Sequence, residues 1–128
     1  MTQRSLHVLV VEDDEAQRHL LRRSLEKRGH VVVAEVARGD DARLHSLAMD
    51  VAVVDLGLPG KSGVEVIRAL LDRDPSIAVL VLSASAHGAA ITEALFAGAL
   101  GYVVKGARLA DVMDSVELVA DRKLVRAS

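Results

Sequence analysis

Residues 51–63 read VAVVDLGLPGKSG. The first four are apolar at every position, so both faces of a strand built from them need apolar surroundings. That pattern belongs to a parallel sheet covered on both sides by helices, not to an antiparallel sheet with one wet face. The run then stops on a carboxylate, Asp55, and turns through Gly57, Pro59, Gly60 and Gly63. Aspartate is disfavoured in strands. Its place at the end of a buried run marks its oxygens for a chemical task.

Four more runs of the same kind lie on either side: LHVLVV (6–11), VVVAEV (31–36), IAVLVL (77–82) and LGYVV (100–104). Helical spacing fills the intervals. Residues 14–28 place Leu20, Leu21 and Leu25 on one stripe, and Gly29 stops them. Residues 39–48 give a shorter, weaker helix. Residues 63–73 carry Val64, Ile67, Leu70 and Leu71. Residues 88–97 are alanine-rich and end at Gly98. Residues 108–120 carry Leu109, Val112, Met113, Val116 and Val119 on one face. Strand and helix alternate five times, so the expected fold is α/β: a (βα)5 doubly wound, five-stranded parallel sheet with right-handed crossovers. The domain is expected over residues 1–120. The segment DRKLVRAS (121–128) looks loose, a tail or the stump of a linker.

Composition narrows the function. The 128 residues suit one domain. Hydrophobic residues make up 51% and aromatics 2%, so the core is aliphatic. A net charge of −2 gives no basic footprint for nucleic acid or an anionic membrane. The absence of cysteine removes disulfides and thiolate metal sites. No apolar run is long enough to span a bilayer, and the acids after the first apolar run do not suit a signal peptide. A cytoplasmic protein is expected, with no membrane contact and no nucleic acid bound directly.

Ligands of open α/β sheets bind beyond the carboxyl ends of the strands, where strand order reverses. The first strand ends in Glu12, Asp13 and Asp14, the third in Asp55, the fourth in Ser83 and the fifth in Lys105. The second ends in VARG, with no comparable group, as befits an edge strand in the order 2-1-3-4-5. Carboxylates about 4 Å apart repel by roughly 4 kcal/mol per pair at an effective dielectric near 20. A divalent cation offsets that, and an all-oxygen donor set favours Mg²⁺. Asp14 reads as a helix cap. His7, His19, His30, His45 and His87 have no ligand spacing and read as surface residues. A carboxylate nucleophile, Mg²⁺, a lysine and a small hydroxyl are the parts needed to accept a phosphoryl group.

The stretches VVEDD, VVDLGLPGKSG, VLSAS and GYVVKG, in this order and at these strand ends, closely resemble the four signature stretches of bacterial response-regulator receiver domains, including the flavodoxin-like CheY fold. The likeness covers about residues 6–120. It implies that Asp55 is the phosphoacceptor, that Glu12, Asp13, Asp55 and the Gly57 carbonyl hold Mg²⁺, that Ser83 and Lys105 bind the phosphoryl group, and that Tyr102 swings inward as Ser83 moves. It implies a sensor histidine kinase or phosphotransfer protein as donor and an output domain absent from this chain, with transcription as the output. It also implies that the fourth helix, fifth strand and last helix form the switching face, where phosphorylation can drive homodimerisation. GYVVKG with the preceding ALFAGAL looks most like receivers carrying a LuxR/NarL-type output. Three features depart from the common pattern: serine rather than threonine at 83, no side chain at Gly57, and Gly106 where a cis-proline is frequent.

Two other functions fit the same fold class. A haloacid-dehalogenase-like Mg²⁺-dependent phosphatase also phosphorylates an aspartate, but it uses a second acid two residues on, where this chain has Gly57. A flavodoxin-like binding module needs a phosphate loop rich in glycine and hydroxyls after the first strand. EDDEAQ would repel a phosphate there.

Overall fold

The computed structural model describes residues 4–127. Five strands, β1 (His7–Val11), β2 (Val31–Val36), β3 (Val51–Val54), β4 (Ala78–Ser83) and β5 (Gly101–Val104), form one sheet in the order β2-β1-β3-β4-β5. Every neighbouring pair is parallel. The α-helices are α1 (Glu15–Lys27), α2 (Gly63–Arg73), α3 (Gly88–Ala97) and α4 (Leu109–Ala127).

The sheet is sandwiched, as the apolar strands require. On one face Val8, Val10, Val53 and Leu80 pack with Leu21 and Leu25 of α1 and Val112, Met113 and Val116 of α4. On the other face Leu9, Val54, Val79 and Val81 pack with Val66, Ile67 and Leu70 of α2 and Ala94 of α3. All four residues of β3 and all six of β4 are buried. Helix α2 starts with a capping box in which Ser62 and Glu65 each accept from the other's backbone N–H.

Register brings the polar residues to one level. Val11 pairs with Val54, and Val54 with Val81. The ladder runs on past the strands: Asp55 N–H donates to Val11 O at 2.9 Å, Glu12 N–H to Val36 O at 2.9 Å and Lys105 N–H to Ser83 O at 2.7 Å. Glu12, Asp55, Ser83 and Lys105 therefore leave the sheet at one edge.

Four details differ from the sequence reading. The helix expected over residues 39–48 is only a 3₁₀ turn, Ala42–His45, capped by Asp41. A Cβ on Gly39 would collide with Lys61 O, so the chain there is shaped by the neighbouring loop and not by helical propensity. Leu20 is 51% exposed, off the buried stripe that Leu21 and Leu25 make. Residues 121–127, expected to be loose, continue α4. His30 is 4% exposed, not a surface residue. Its Nδ1 accepts from Leu6 N–H at 3.1 Å, which leaves the proton on Nε2, 2.8 Å from Glu117 Oε2. Arg28 joins them through Glu117 Oε1 at 2.9 Å and Asp114 Oδ1 at 2.7 Å, so the turn between α1 and β2 is tied to the middle of α4. The other four histidines are exposed.

Strand β2 carries a bulge. Val8 pairs with Val32, but Leu9 pairs with Ala34, so Val33 has no partner. Val33 and Ala34 both pack toward the α2/α3 core, and Glu35 is turned to the α1 side.

Candidate functional site

Glu12, Asp13 and Asp55 each offer an oxygen such that all three lie within 4.8 Å of one another. Glu12 is 2% and Asp55 7% exposed, while Asp13 is exposed. Lys105 reaches in from the end of β5, its Nζ 2.7 Å from Glu12 Oε1 and 3.0 Å from Asp55 Oδ2. Asp55 Oδ1 accepts from Gly57 N–H at 3.1 Å. Apart from the Lys105 ammonium beside Oε1, the buried oxygens of Glu12 receive no donor. Two buried carboxylates offset only by one ammonium, in an all-oxygen set, fit a hard cation.

The two buried acids are driven apart. Burial raises Glu12, the negative Asp55 beside it adds to the rise, and Lys105 only partly opposes them, so it sits near 7. Burial also pushes Asp55 upward. The neighbouring Glu12 and hydrogen bonds from Lys105 and the Gly57 N–H outweigh this and hold it below its ordinary value. Desolvation works against the Lys105 charge, but its contacts with Glu12 and Asp55 raise it overall. Burial thus favours the neutral form of Glu12, while its contacts favour the ionised form of Asp55.

The loop after β3 is forced back onto the site. Gly63 N–H donates to Leu56 O at 3.1 Å, and a Cβ on Gly63 would collide with Asp55 O. Glycine is needed there for close approach. Gly106 takes φ +101°, so the chain turns directly behind Lys105. No peptide bond among the described residues is cis.

Ser83 and Tyr102 belong to a second connected set. Ser83 is 5% exposed, and its Oγ accepts from Ser85 N–H at 3.2 Å. Tyr102 is half-buried and its hydroxyl donates to Ser85 O at 2.7 Å. Both residues therefore contact the β4–α3 loop. Asp14 is the N-cap of α1, its Oδ1 accepting from Gln17 N–H at 3.0 Å.

Sequence reading missed Arg18. Its guanidinium donates to the carbonyls of Glu12 at 3.0 Å and Asp13 at 3.1 Å. The spacing could have pointed to it, since a residue one turn after an N-cap lies over that cap.

A family profile described as "Response regulator receiver domain" matches residues 8–117. The virulence transcriptional regulatory protein PhoP of Salmonella typhimurium is 40% identical over 124 residues, 96% of this chain and 55% of that protein. The chain therefore spans about half the length of the curated relatives it matches. A LuxR-family two-component response regulator from Aurantimonas is 32% identical, with a TM-score of 0.86 over 93% of this chain and 87% of that one. A response regulator from Burkholderia pseudomallei, solved with a phosphorylated aspartic acid, a calcium ion and citrate, is 28% identical, with a TM-score of 0.79 over 95% of this chain and 72% of that one. Similarity to the LuxR family is thus present, alongside a higher identity to PhoP.

Proposed function

The chain belongs to the response-regulator receiver domain family, and on that premise we propose that Asp55 is its phosphoacceptor, served by Mg²⁺ and a phosphohistidine donor. The observation that carries this reading is the buried pair Glu12 and Asp55 with Asp13 beside them and the Lys105 ammonium between. Glu12, Asp13, Asp55 and the Gly57 carbonyl would hold Mg²⁺. The ion supplies neutralisation of charge on the incoming phosphoryl oxygens. An Asp55 carboxylate oxygen attacks phosphorus in line, the P–N bond of the phosphohistidine breaks, and the released imidazole takes up a proton. Lys105 leaves its carboxylate partner to pair with a phosphoryl oxygen, and the Ser83 hydroxyl donates to another.

The domain is read as a signalling switch with only self-phosphorylation and autodephosphorylation chemistry. Its partners would be a sensor histidine kinase or phosphotransfer protein, and its output transcription, through a region outside these residues. No helix among the described residues is long and apolar enough to cross a membrane, and a cytoplasmic setting is proposed.

Mass spectrometry after acetyl phosphate and Mg²⁺ tests the reading. One added phosphoryl group, absent in Asp55→Asn and in Asp13→Ala, is expected. Normal labelling of Asp55→Asn would overturn the assignment. Turnover of a phosphomonoester would instead identify a phosphatase. Asp55→Asn removes a charge from a crowded pocket, so its melting temperature should equal or exceed the parent's.

A further inference from the structure

We infer that Arg18 is a positioning residue for the acidic site: held from behind by Glu35 on β2, its guanidinium fixes the two peptide groups that flank Asp13. This rests on reading the site as a metal-dependent phosphoacceptor. The Glu12 carbonyl belongs to the peptide before Asp13, and the Asp13 carbonyl to the peptide after it. Both accept from Arg18 Nη1, at 3.0 and 3.1 Å. Asp13 is the exposed member of the carboxylate set, so packing does least to orient it. Hydrogen bonds on both sides of its Cα do that work.

Arg18 is itself constrained. Its side chain is 16% exposed, and its Nε lies 3.7 Å from Glu35 Oε1. Glu35 is 13% exposed, accepts from Arg22 Nη1 at 3.0 Å and lies 3.2 Å from His19 Nδ1. The bulge at Val33 makes this possible. With regular alternation Glu35 would share a face with Val33, toward the α2/α3 core. The extra residue turns it to α1. A strand that brings nothing to the site directly thus supports it through one arginine.

Charge and positioning give opposite signs. Arg18 is a cation beside a cation site, so on charge alone its removal tightens Mg²⁺. If it positions Asp13, removal weakens Mg²⁺. Groups that orient metal ligands are commonly worth 10- to 100-fold in affinity.

The test is a Mg²⁺ titration followed by amide NMR on the parent, Arg18→Gln, Arg18→Lys and Asp13→Ala. Arg18→Gln should bind Mg²⁺ about tenfold more weakly, and its metal-free amides at 12–14 should exchange faster with solvent. Arg18→Lys, which keeps a donor and the charge, should recover part of the loss. Affinity in Arg18→Gln within twofold of the parent, or tighter, overturns the inference. If Arg18→Gln does not fold, Glu35→Gln decides. It loosens the arginine and should weaken Mg²⁺ severalfold, and unchanged affinity there overturns the inference too. Asp13→Ala separates the two ideas. Loss of Mg²⁺ in that variant with Arg18→Gln unaffected rejects Arg18 alone, whereas unchanged Mg²⁺ in Asp13→Ala rejects the site itself.

Discussion

Glu12 and Asp55 bear the same ionisable group on adjacent strands, yet they titrate in opposite directions. Lys105 touches both, but Asp55 also accepts from Gly57 N–H, while at Glu12 burial and the negative Asp55 outweigh the ammonium. The sign for stability follows. A folded value near 7 for Glu12, above its ordinary 4.5, means the folded state holds a proton that the unfolded chain has released. Stability from this residue is full below about 4.5 and is lost as pH rises toward 7. Asp55, held low, contributes in the other direction, and its share is lost only in acid. Without metal, melting temperature should therefore decline between pH 5 and 8, and Glu12→Gln should flatten the decline. Because Mg²⁺ needs the ionised carboxylate, its affinity should be about tenfold weaker at pH 6 than at pH 8. Titration calorimetry at the two values checks this, and a flat profile would contradict the protonated Glu12. The acidic residues were legible in the sequence because carboxylates at the ends of apolar runs have no packing reason to be there. Which of them keeps the proton was not, since it depends on where a lysine far along the chain arrives.

Among the elements, strands were easiest to read. Burial on both faces leaves only apolar residues, and β3 and β4 match their runs to within a residue. Helix α2 was legible from the spacing of Val64, Ile67, Leu70 and Leu71, while its Ser62–Glu65 capping box emerged only in the structure. The segment near residue 42 could not be read, because its shape comes from the contact between Gly39 and Lys61, a pairing invisible to local periodicity. The bulge in β2 was hidden for a related reason: VVVAEV alternates equally well in either parity. His30 lay beyond reach because its partners, Leu6 and Glu117, are distant in sequence. That residue now predicts a stability effect. His30→Ala would leave the buried Leu6 N–H unsatisfied and take one partner from Glu117, which Arg28 still holds, at a cost of about 2–3 kcal/mol. Urea denaturation should show the loss, and His30→Gln should recover part of it. A change below about 0.5 kcal/mol would mean the tie between the α1–β2 turn and α4 is slack.

At the scale of the whole molecule, the carboxyl edge of the sheet holds the acidic cluster, and the flank made by α3, β5 and α4 is the surface expected to respond. That flank carries Ala89, Ala90, Glu93, Arg108, Asp111 and Ser115, and α3 also exposes Leu95 at 48% and Phe96 at 86%. A phosphoryl group can shift the flank only through contacts that exist in one of two states. Under the proposed function Ser83 and Lys105 would make such contacts. Beryllofluoride with Mg²⁺ should therefore perturb amides across residues 85–115 and promote self-association of micromolar strength, visible by sedimentation velocity. A mixed-charge surface with one large aromatic argues against tighter binding. Perturbation confined to the acidic pocket, with no change in mass, would make the domain a phosphate sink.

The hydrogen bond from Tyr102 to Ser85 O has a practical side. The chain has one tyrosine and no tryptophan, so all of its tyrosine emission comes from a single ring whose hydroxyl is bound to the loop that also contacts Ser83. A phenol bonded to a carbonyl and a phenol released from it differ in quantum yield and lifetime. Time-resolved emission of the unmodified protein should thus be a label-free optical gauge of the loop, its mean lifetime changing when the phenol is released from Ser85 O.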